Sequence, residues 1–359
     1  MASKVWFIPV KDGESRESIA AKARRVVKAA GAYDIVNPGE YVGVKMHFGE
    51  QRGVGFIKPE YIRPLLDDLK AAQGKVYLTD TNTLYKGRRF NSVDHLMQAY
   101  DNGFTPDKVG VPVIIADGLL SKNYTQVEIE GKYFTSVNIA NDFLHADVVF
   151  VLSHPTGHVA AGMGAAIKNV AMGAASRSGK QMQHSDIQPE VDREVCTACG
   201  LCIKWCPVEA ISMVEGKAQI DLEVCYGCAE CLTTCKFDAI ENKGEGSTQK
   251  LQEKMAEFAY GALKEKEGKM FFANFLIHVT KNCDCDSRAQ EKVVSDIGIL
   301  ASYDPVAIDQ ATVDLLTKAH GGDLLQELWP ENDYNFQIAH AEGLGLGSRE
   351  YELIPVDED

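Results

Sequence analysis

No run in the 359-residue chain approaches the roughly 20 consecutive apolar residues that a membrane-crossing helix needs. The opening stretch, Met1 to Gly13, also lacks the long apolar core of a secretory signal. Both absences predict a cytoplasmic protein without a membrane partner. Positive charge is scarce as well: 37 Lys and Arg stand against 51 Asp and Glu, a formal net charge of -14. Nucleic acids attract basic surfaces, so this balance argues against a nucleic-acid partner. Nucleotide signatures are missing too. The chain has no P-loop, and Gly162-Met163-Gly164, its closest approach to a dinucleotide fingerprint, has Ile167 where the third glycine would stand.

Cysteine is what the chain does have, ten in all. Cys196, Cys199, Cys202 and Cys206 follow the spacing C-x2-C-x2-C-x3-C, with Pro207 after the fourth. Cys225, Cys228, Cys231 and Cys235 repeat it, with Lys236 in the proline's place. Three thiolates spaced two residues apart wrap one face of an iron–sulfur cube, and the fourth reaches the other cluster of the pair. The expected ligand sets are therefore Cys196, Cys199, Cys202 and Cys235 for one 4Fe–4S cluster, and Cys225, Cys228, Cys231 and Cys206 for the other. Zinc sites rarely repeat a four-cysteine run of this kind. Ten cysteines in so long a chain also suit a reducing compartment better than a disulfide scaffold. Lys236 is either a solvated surface residue or a charge that raises a cluster's potential.

Around this segment the sequence alternates strands and helices, which predicts a mostly parallel α/β sheet covered on both faces. Strands are expected at 41–48, 75–80, 109–117, 147–153, 270–280, 295–300 and 351–356, with a hairpin over 127–137. Helices are expected at 59–72, 92–102 and 250–266, and another beginning at Asp304-Pro305, an aspartate cap followed by proline at the first helical position. The reading divides the chain into an α/β part over 1–186, a small α+β ferredoxin-type insert over 187–242, and a second α/β part over 243–359. The two α/β parts form either one core or two lobes.

Parallel sheets build their sites at the carboxyl ends of strands. That places Lys45, His47, Asp80, Asn82, His154 and His158 as candidates. Gly162 and Gly164 precede a helix, where backbone amides bind anions, and Lys168 falls within that helix. His184 lies in a polar stretch that no core requires. Cys283 and Cys285, two apart in an extended chain, can face one pocket as a metal or redox pair, or pack as half-buried thiols.

The order of motifs resembles the domain of unknown function 362 family in its ferredoxin-containing form. The likeness runs through Lys45-Met46-His47-Phe48-Gly49-Glu50, Thr79 to Tyr85, Ser153-His154, Lys168-Asn169, Met172-Gly173, Cys283 to Asp286, and Asp296 to Pro305. It implies two 4Fe–4S clusters and no assigned reaction. A shorter segment, His158-x2-Ala161-Gly162-x-Gly164-x3-Lys168-x4-Gly173 with His184 sixteen residues after Lys168, is similar to the nickel-pincer lactate racemase family. There the corresponding histidine is an acid/base, the lysine tethers the cofactor and the later histidine binds nickel. This chain departs from that family at Ala165-Ala166, where a glycine is usual, and in carrying the cysteine-rich insert.

A cube with four cysteine ligands has saturated irons, so it passes electrons and does not bind substrate. The leading expectation is an iron–sulfur oxidoreductase that feeds a site in the α/β core. His158, Lys168 and His154 are its acid–base candidates, and His47, Asn82, Gly162, Gly164 and His184 would hold a substrate or a further cofactor. Its partner would be a redox protein or a small-molecule substrate. The alternatives are a non-enzymatic electron carrier or assembly factor, and a racemase-like enzyme with a metal cofactor.

Overall fold

The computed structural model describes residues 2–206, 208–225, 227, 230–244 and 247–357. Eight strands form one sheet in the order Tyr351–Pro355, Ser3–Pro9, Gly298–Ser302, Met270–Leu276, Val148–Ser153, Tyr41–Lys45, Lys75–Asp80, Val113–Ile115. Seven run in one direction and Gly298–Ser302 runs against them. The two α/β parts are thus one core and not two lobes, because Val148–Ser153 from the first pairs directly with Met270–Leu276 from the second.

The central strands are apolar throughout because both of their faces are covered. Val148, Phe150 and Leu152 point to one layer, and Val149 and Val151 to the other. Helices Arg16–Ala29 and Pro59–Ala71 cover the first face with Ile19, Val26, Ile62 and Leu66. Helices Ala166–Gly173, Ser247–Leu263, Pro305–His320 and Asn335–Gly343 cover the second, and Val170, Phe258, Ile308 and Ile338 are fully buried there. Asp304 caps its helix as the sequence predicts, accepting from the amides of Val306 and Ala307 at 2.8 and 2.9 Å. The hairpin is also present, as Tyr124–Glu128 against Ser136–Ala140.

Three local readings are corrected. The strand Ser3–Pro9 and the helix Arg16–Ala29 have no counterpart in the sequence reading. Helix Ser92–Asp101 has apolar residues Leu96, Ala99 and Tyr100 at helical spacing, yet its inward residues are His95, Gln98 and Ala99. The face turns because His95 lies 3.8 Å from the buried Asp80. Gly162–Gly164 is a short strand paired with Thr156–His158, so it does not open a helix.

The cysteine-rich segment leaves and re-enters between the two central strands. Its neck is the antiparallel pair Pro189–Val191 and Ile240–Asn242, with Pro189 opposite Asn242. Inside lie the hairpin Ile211–Val214/Lys217–Ile220 and the short helices Leu201–Trp205 and Glu230–Thr234. The chain then returns through helix Ser247–Leu263.

One buried carboxylate joins the layers. Asp309 Oδ1 accepts from the Ala166 amide and Asn274 Nδ2, and its Oδ2 accepts from the Ile167 amide, at 2.9, 3.0 and 2.9 Å. It thereby satisfies the first amides of helix Ala166–Gly173, the ones expected to bind an anion. Burial pushes the Asp309 carboxyl up to about 6, against the lowering effect of these donors. A raised folded-state value favours the protonated form in the fold, so its contribution is full below the unfolded value and is lost as pH rises through about 6. We expect Asp309→Asn to gain stability relative to the native chain between pH 5 and 7.5 in urea unfolding. Asp309→Ala should cost about 1–3 kcal/mol at either pH, since it strands buried amides.

Candidate functional site

The strands Tyr41–Lys45, Lys75–Asp80 and Val148–Ser153 are neighbours in the sheet, and their last residues are Lys45, Asp80 and Ser153. Their carboxyl ends open on a cavity of about 150 Å³. Of the residues predicted for the site, His47, His154, His158, Gly164, Lys168, His184, Cys283 and Cys285 line it. Asn82 and Gly162 do not. Asn82 donates from its side-chain amide to Asp117 Oδ1 and the Gly118 carbonyl, and so braces a loop. Gly162, at φ +68°, turns the chain against Asn332 and Tyr334.

Charge is packed tightly at the cavity floor. Lys45 lies 3.2 Å from Asp80 and donates to Asn169 Oδ1 at 2.6 Å. Asn169 in turn donates to the Leu152 carbonyl and Ser153 Oγ, both at 2.9 Å. Arg89 contacts Asp80 at 3.3 Å and Glu50 at 2.6 Å, and donates to the Tyr85 hydroxyl. Burial alone would raise the Asp80 carboxyl, but Lys45, His95 and Arg89 outweigh it and hold the group below the usual carboxylate range. A side chain on Gly173 would strike the end of Lys45, so glycine is required there for the ammonium to reach its partners.

The histidines are held in different states. His154 Nδ1 is 2.9 Å from Asp284 Oδ2, and its Nε2 meets the Ile277 carbonyl at 2.9 Å. Burial works against its charge, yet Asp284 prevails and the imidazole's pKa is raised. Both ring nitrogens then donate, as an imidazolium requires. His47 and His158 are the opposite. The Gly49 amide donates to His47 Nδ1 at 2.9 Å, and the Ala160 and Ala161 amides donate to His158 Nδ1 at 3.1 and 3.0 Å. An Nδ1 that accepts leaves the proton on Nε2, so each of these cavity-lining rings carries an N–H donor there. Burial holds both well below the ordinary histidine value. His184 closes helix Arg177–His184; burial and then Lys168 push it down to about 3, and its buried Nδ1 has no hydrogen-bond partner among the described residues.

Two lysines complete the set. Lys180 donates to Thr81 Oγ1 at 2.6 Å and to the Ala175 carbonyl at 2.8 Å. Lys168 Nζ donates to Cys283 Sγ at 3.8 Å. Burial lowers each to about 8. Cys283 and Cys285 form a disulfide in the cavity wall. One His158 ring nitrogen and the two sulfurs lie within 4.8 Å of one another. Arg89, Lys180 and Glu50 were not among the sequence candidates, because nothing local marks a lysine or arginine as buried.

Outside the cavity, Cys196, Cys199, Cys202 and Cys235 line one small pocket with Ala198, Phe237 and Ile240. Burial raises the Cys202 thiol, and Cys199, Cys196 and Cys235 push the same way. Cys206 acts likewise on Cys225. Cys228 lies outside the described residues. Gly227, beside Cys225, sits against the core: a Cβ there would come within 2.6 Å of the Ile187 carbonyl and 2.8 Å of the His184 carbonyl. The second cysteine group therefore abuts the helix end that carries His184 into the cavity.

A family model described as "Domain of unknown function (DUF362)" matches residues 42–314. Among solved structures, the chain is similar to the lactate racemase apoprotein from Thermoanaerobacterium thermosaccharolyticum, at 12% identity and a TM-score of 0.41, over 76% of this chain and 50% of that one. A Thermotoga maritima protein from a structural genomics consortium is similar at 9% identity and a TM-score of 0.38, over 93% of this chain and 60% of that one. The chain thus spans half to three-fifths of the length of these structures. No curated protein matches it.

Two outcomes are expected. Arg89→Met should cost about 3–5 kcal/mol in urea unfolding, because it leaves Glu50 and Asp80 as under-compensated buried charges. Competitive acetylation followed by mass spectrometry should give Lys168 a titration midpoint near the 8 that burial dictates. A midpoint at the ordinary lysine value, about 10.4, would mean that the ammonium is solvated.

Proposed function

Because the chain belongs to the domain of unknown function 362 family, whose description assigns no reaction, we propose its function from the site itself: it is an iron–sulfur redox protein in which two 4Fe–4S clusters exchange electrons with the cavity of the α/β core. The observation that carries this reading is the grouping of Cys196, Cys199 and Cys202 with Cys235 from the other motif. That is the crossed arrangement expected of a two-cluster ferredoxin. Cys206 beside Cys225 supports the reciprocal set, with Cys231 and Cys228.

The donor chemistry fits. The residues offered are soft thiolates, and three sulfurs accept backbone hydrogen bonds: Cys206 from Ala210, Cys225 from Gly227 and Cys235 from Ala239, at 3.2, 3.4 and 3.3 Å. Such bonds spread the negative charge of a cluster and raise its potential. Bound clusters would supply one-electron transfer. The remaining residues supply everything else: the cavity encloses a small molecule, Lys168 and Lys180 favour one that is anionic, and His47 and His158 present N–H donors to it. A cavity of this size holds a molecule of about benzene's bulk. The partner on the electron side is a redox protein, in the reducing cytoplasm that ten cysteines suit.

A second reading has its own observation. The two Nε2–H imidazoles and two lysines near 8 form a proton-transfer set that needs no electrons. It corresponds to a racemase-like enzyme, in which a metal or other cofactor would occupy the cavity. Solvent deuterium entering a small carboxylate with no electron acceptor present would favour it over the redox reading.

Anaerobically purified protein is expected to contain about eight irons and eight sulfides per chain, as two cubes require. Cys206→Ser should disturb the cluster of the second motif and leave that of the first, which electron paramagnetic resonance separates by their two reduced signals. About four irons in the native chain, or stoichiometric zinc, would overturn the redox reading.

A further inference from the structure

Cys283 and Cys285 lie outside both cysteine motifs, and nothing in the electron path described so far requires them. Their surroundings are specific. Both sulfurs line the cavity. Cys283 Sγ accepts from Lys168 Nζ at 3.8 Å and from the Cys285 amide at 3.4 Å. Lys168 makes no salt bridge with a carboxylate among the described residues, whereas Lys45 and Arg89 both do. An ammonium without a carboxylate, set against a sulfur, is a counter-ion for a thiolate.

A metal site is the competing use of these atoms, since His158 stands with the two sulfurs. The hydrogen bonds argue against it. His158 Nδ1 is taken by two backbone amides, so a neutral ring carries its proton on Nε2 and has no lone pair left for a metal. The same N–H, together with Lys168, can serve a sulfur that has gained charge. The insert meets the cavity's flank at His184, which lines the cavity and whose carbonyl lies 2.8 Å from where a Cβ on Gly227, two residues after Cys225, would stand.

From this placement we infer that Cys283 and Cys285 are a redox-active dithiol/disulfide, the two-electron terminus of the path from the clusters into the cavity. The inference rests on the redox reading for its electron supply. The couple is one disulfide plus two electrons and two protons giving two thiols. The S–S bond breaks and each sulfur gains one electron and one proton. Each cluster passes one electron at a time, and a low-potential ferredoxin-class protein replenishes them. Protons come from water. When only one proton arrives, Cys283 remains a thiolate beside the Lys168 ammonium and Cys285 takes the proton. Stabilising the reduced form in this way makes the disulfide easier to reduce. The step turns a pair of one-electron carriers into a two-electron donor for a small acceptor in the cavity.

The test uses the whole iron-loaded protein. Anaerobic protein is titrated with reduced methyl viologen, then treated with iodoacetamide, and the peptide carrying Cys283 and Cys285 is read by mass spectrometry, with iron content and the visible spectrum recorded beside it. The native chain is expected to take up two electrons more than the Cys283→Ser/Cys285→Ser double variant at equal iron, and to become alkylated at both residues only after reduction. Lys168→Met should keep its iron while alkylation of Cys283 slows at least about tenfold at pH 7, the effect of one unit of thiol pKa. A purely structural lysine would leave that pH profile unmoved. Clusters that bleach while both cysteines stay unreactive would overturn the inference and leave the redox reading standing. So would zinc bound by the reduced pair, or cysteines that are alkylated without any reductant. A chain without iron would instead remove the redox reading, and with it the electron supply.

Discussion

Asp80 is the charge against which the rest of the cavity is arranged. It sits at the end of a buried strand, where a lone carboxylate could not remain ionised. Lys45 and Arg89 hold it as an anion, and Arg89 is fixed in turn by Glu50. Each member is costly to remove because its partners stay behind as unpaired charges in a dry setting. The network therefore defines the cavity floor rigidly. Lys168 and Lys180, which make no salt bridge with a carboxylate among the described residues, also line the cavity. Two further carboxylates work at its edges: Asp309 ties the helix bearing Lys168 to the sheet, and Asp284 keeps His154 charged.

The position of the insert follows from the same sheet. Val148–Ser153 and Met270–Leu276 are adjacent parallel strands, and a parallel pair always needs a long crossover. Here the crossover contains the candidate site, the cysteine-rich module and a covering helix in turn. A module placed on that connection stands beside the carboxyl ends of the strands it joins. The close approach of Gly227 to the His184 carbonyl is the outcome: the cysteine-rich module packs against the helix end that carries His184, and does not hang at the far end of a linker.

Much of this was readable before any coordinates. Continuous apolar runs such as Val148 to Ser153 mark buried strands whatever their partners are, and the cysteine spacing names its own grouping. The segment from His158 to His184 reached the cavity because both the strand-end rule and a family likeness selected it. Other features depend on neighbours distant in sequence. Asn82 was misplaced because its side chain is claimed by Asp117, thirty-five residues on. Gly162 and Gly164 were taken as a helix opening, but Asp309, more than 140 residues away, already occupies the amides in question. Arg89 and Lys180 carry no local mark at all, since a cation's burial is decided by the anion that meets it in the folded chain.

The place of Ser3–Pro9 bears on how the chain is made. Among the described strands it is made before all the others, yet its two neighbours, Gly298–Ser302 and Tyr351–Pro355, are made last. Val5 and Ile8 are fully buried in the folded chain and have no sheet partner until residues 298–302 have been made. The other strands of the first half can pair as they emerge, whereas this one must wait, apolar and open-edged, while the cysteine-rich module is completed downstream. Non-local pairing of this kind is slow and leaves edges exposed to aggregation. Pairing of Ser3–Pro9 into the sheet then comes late in assembly, after all ten cysteines have left the ribosome.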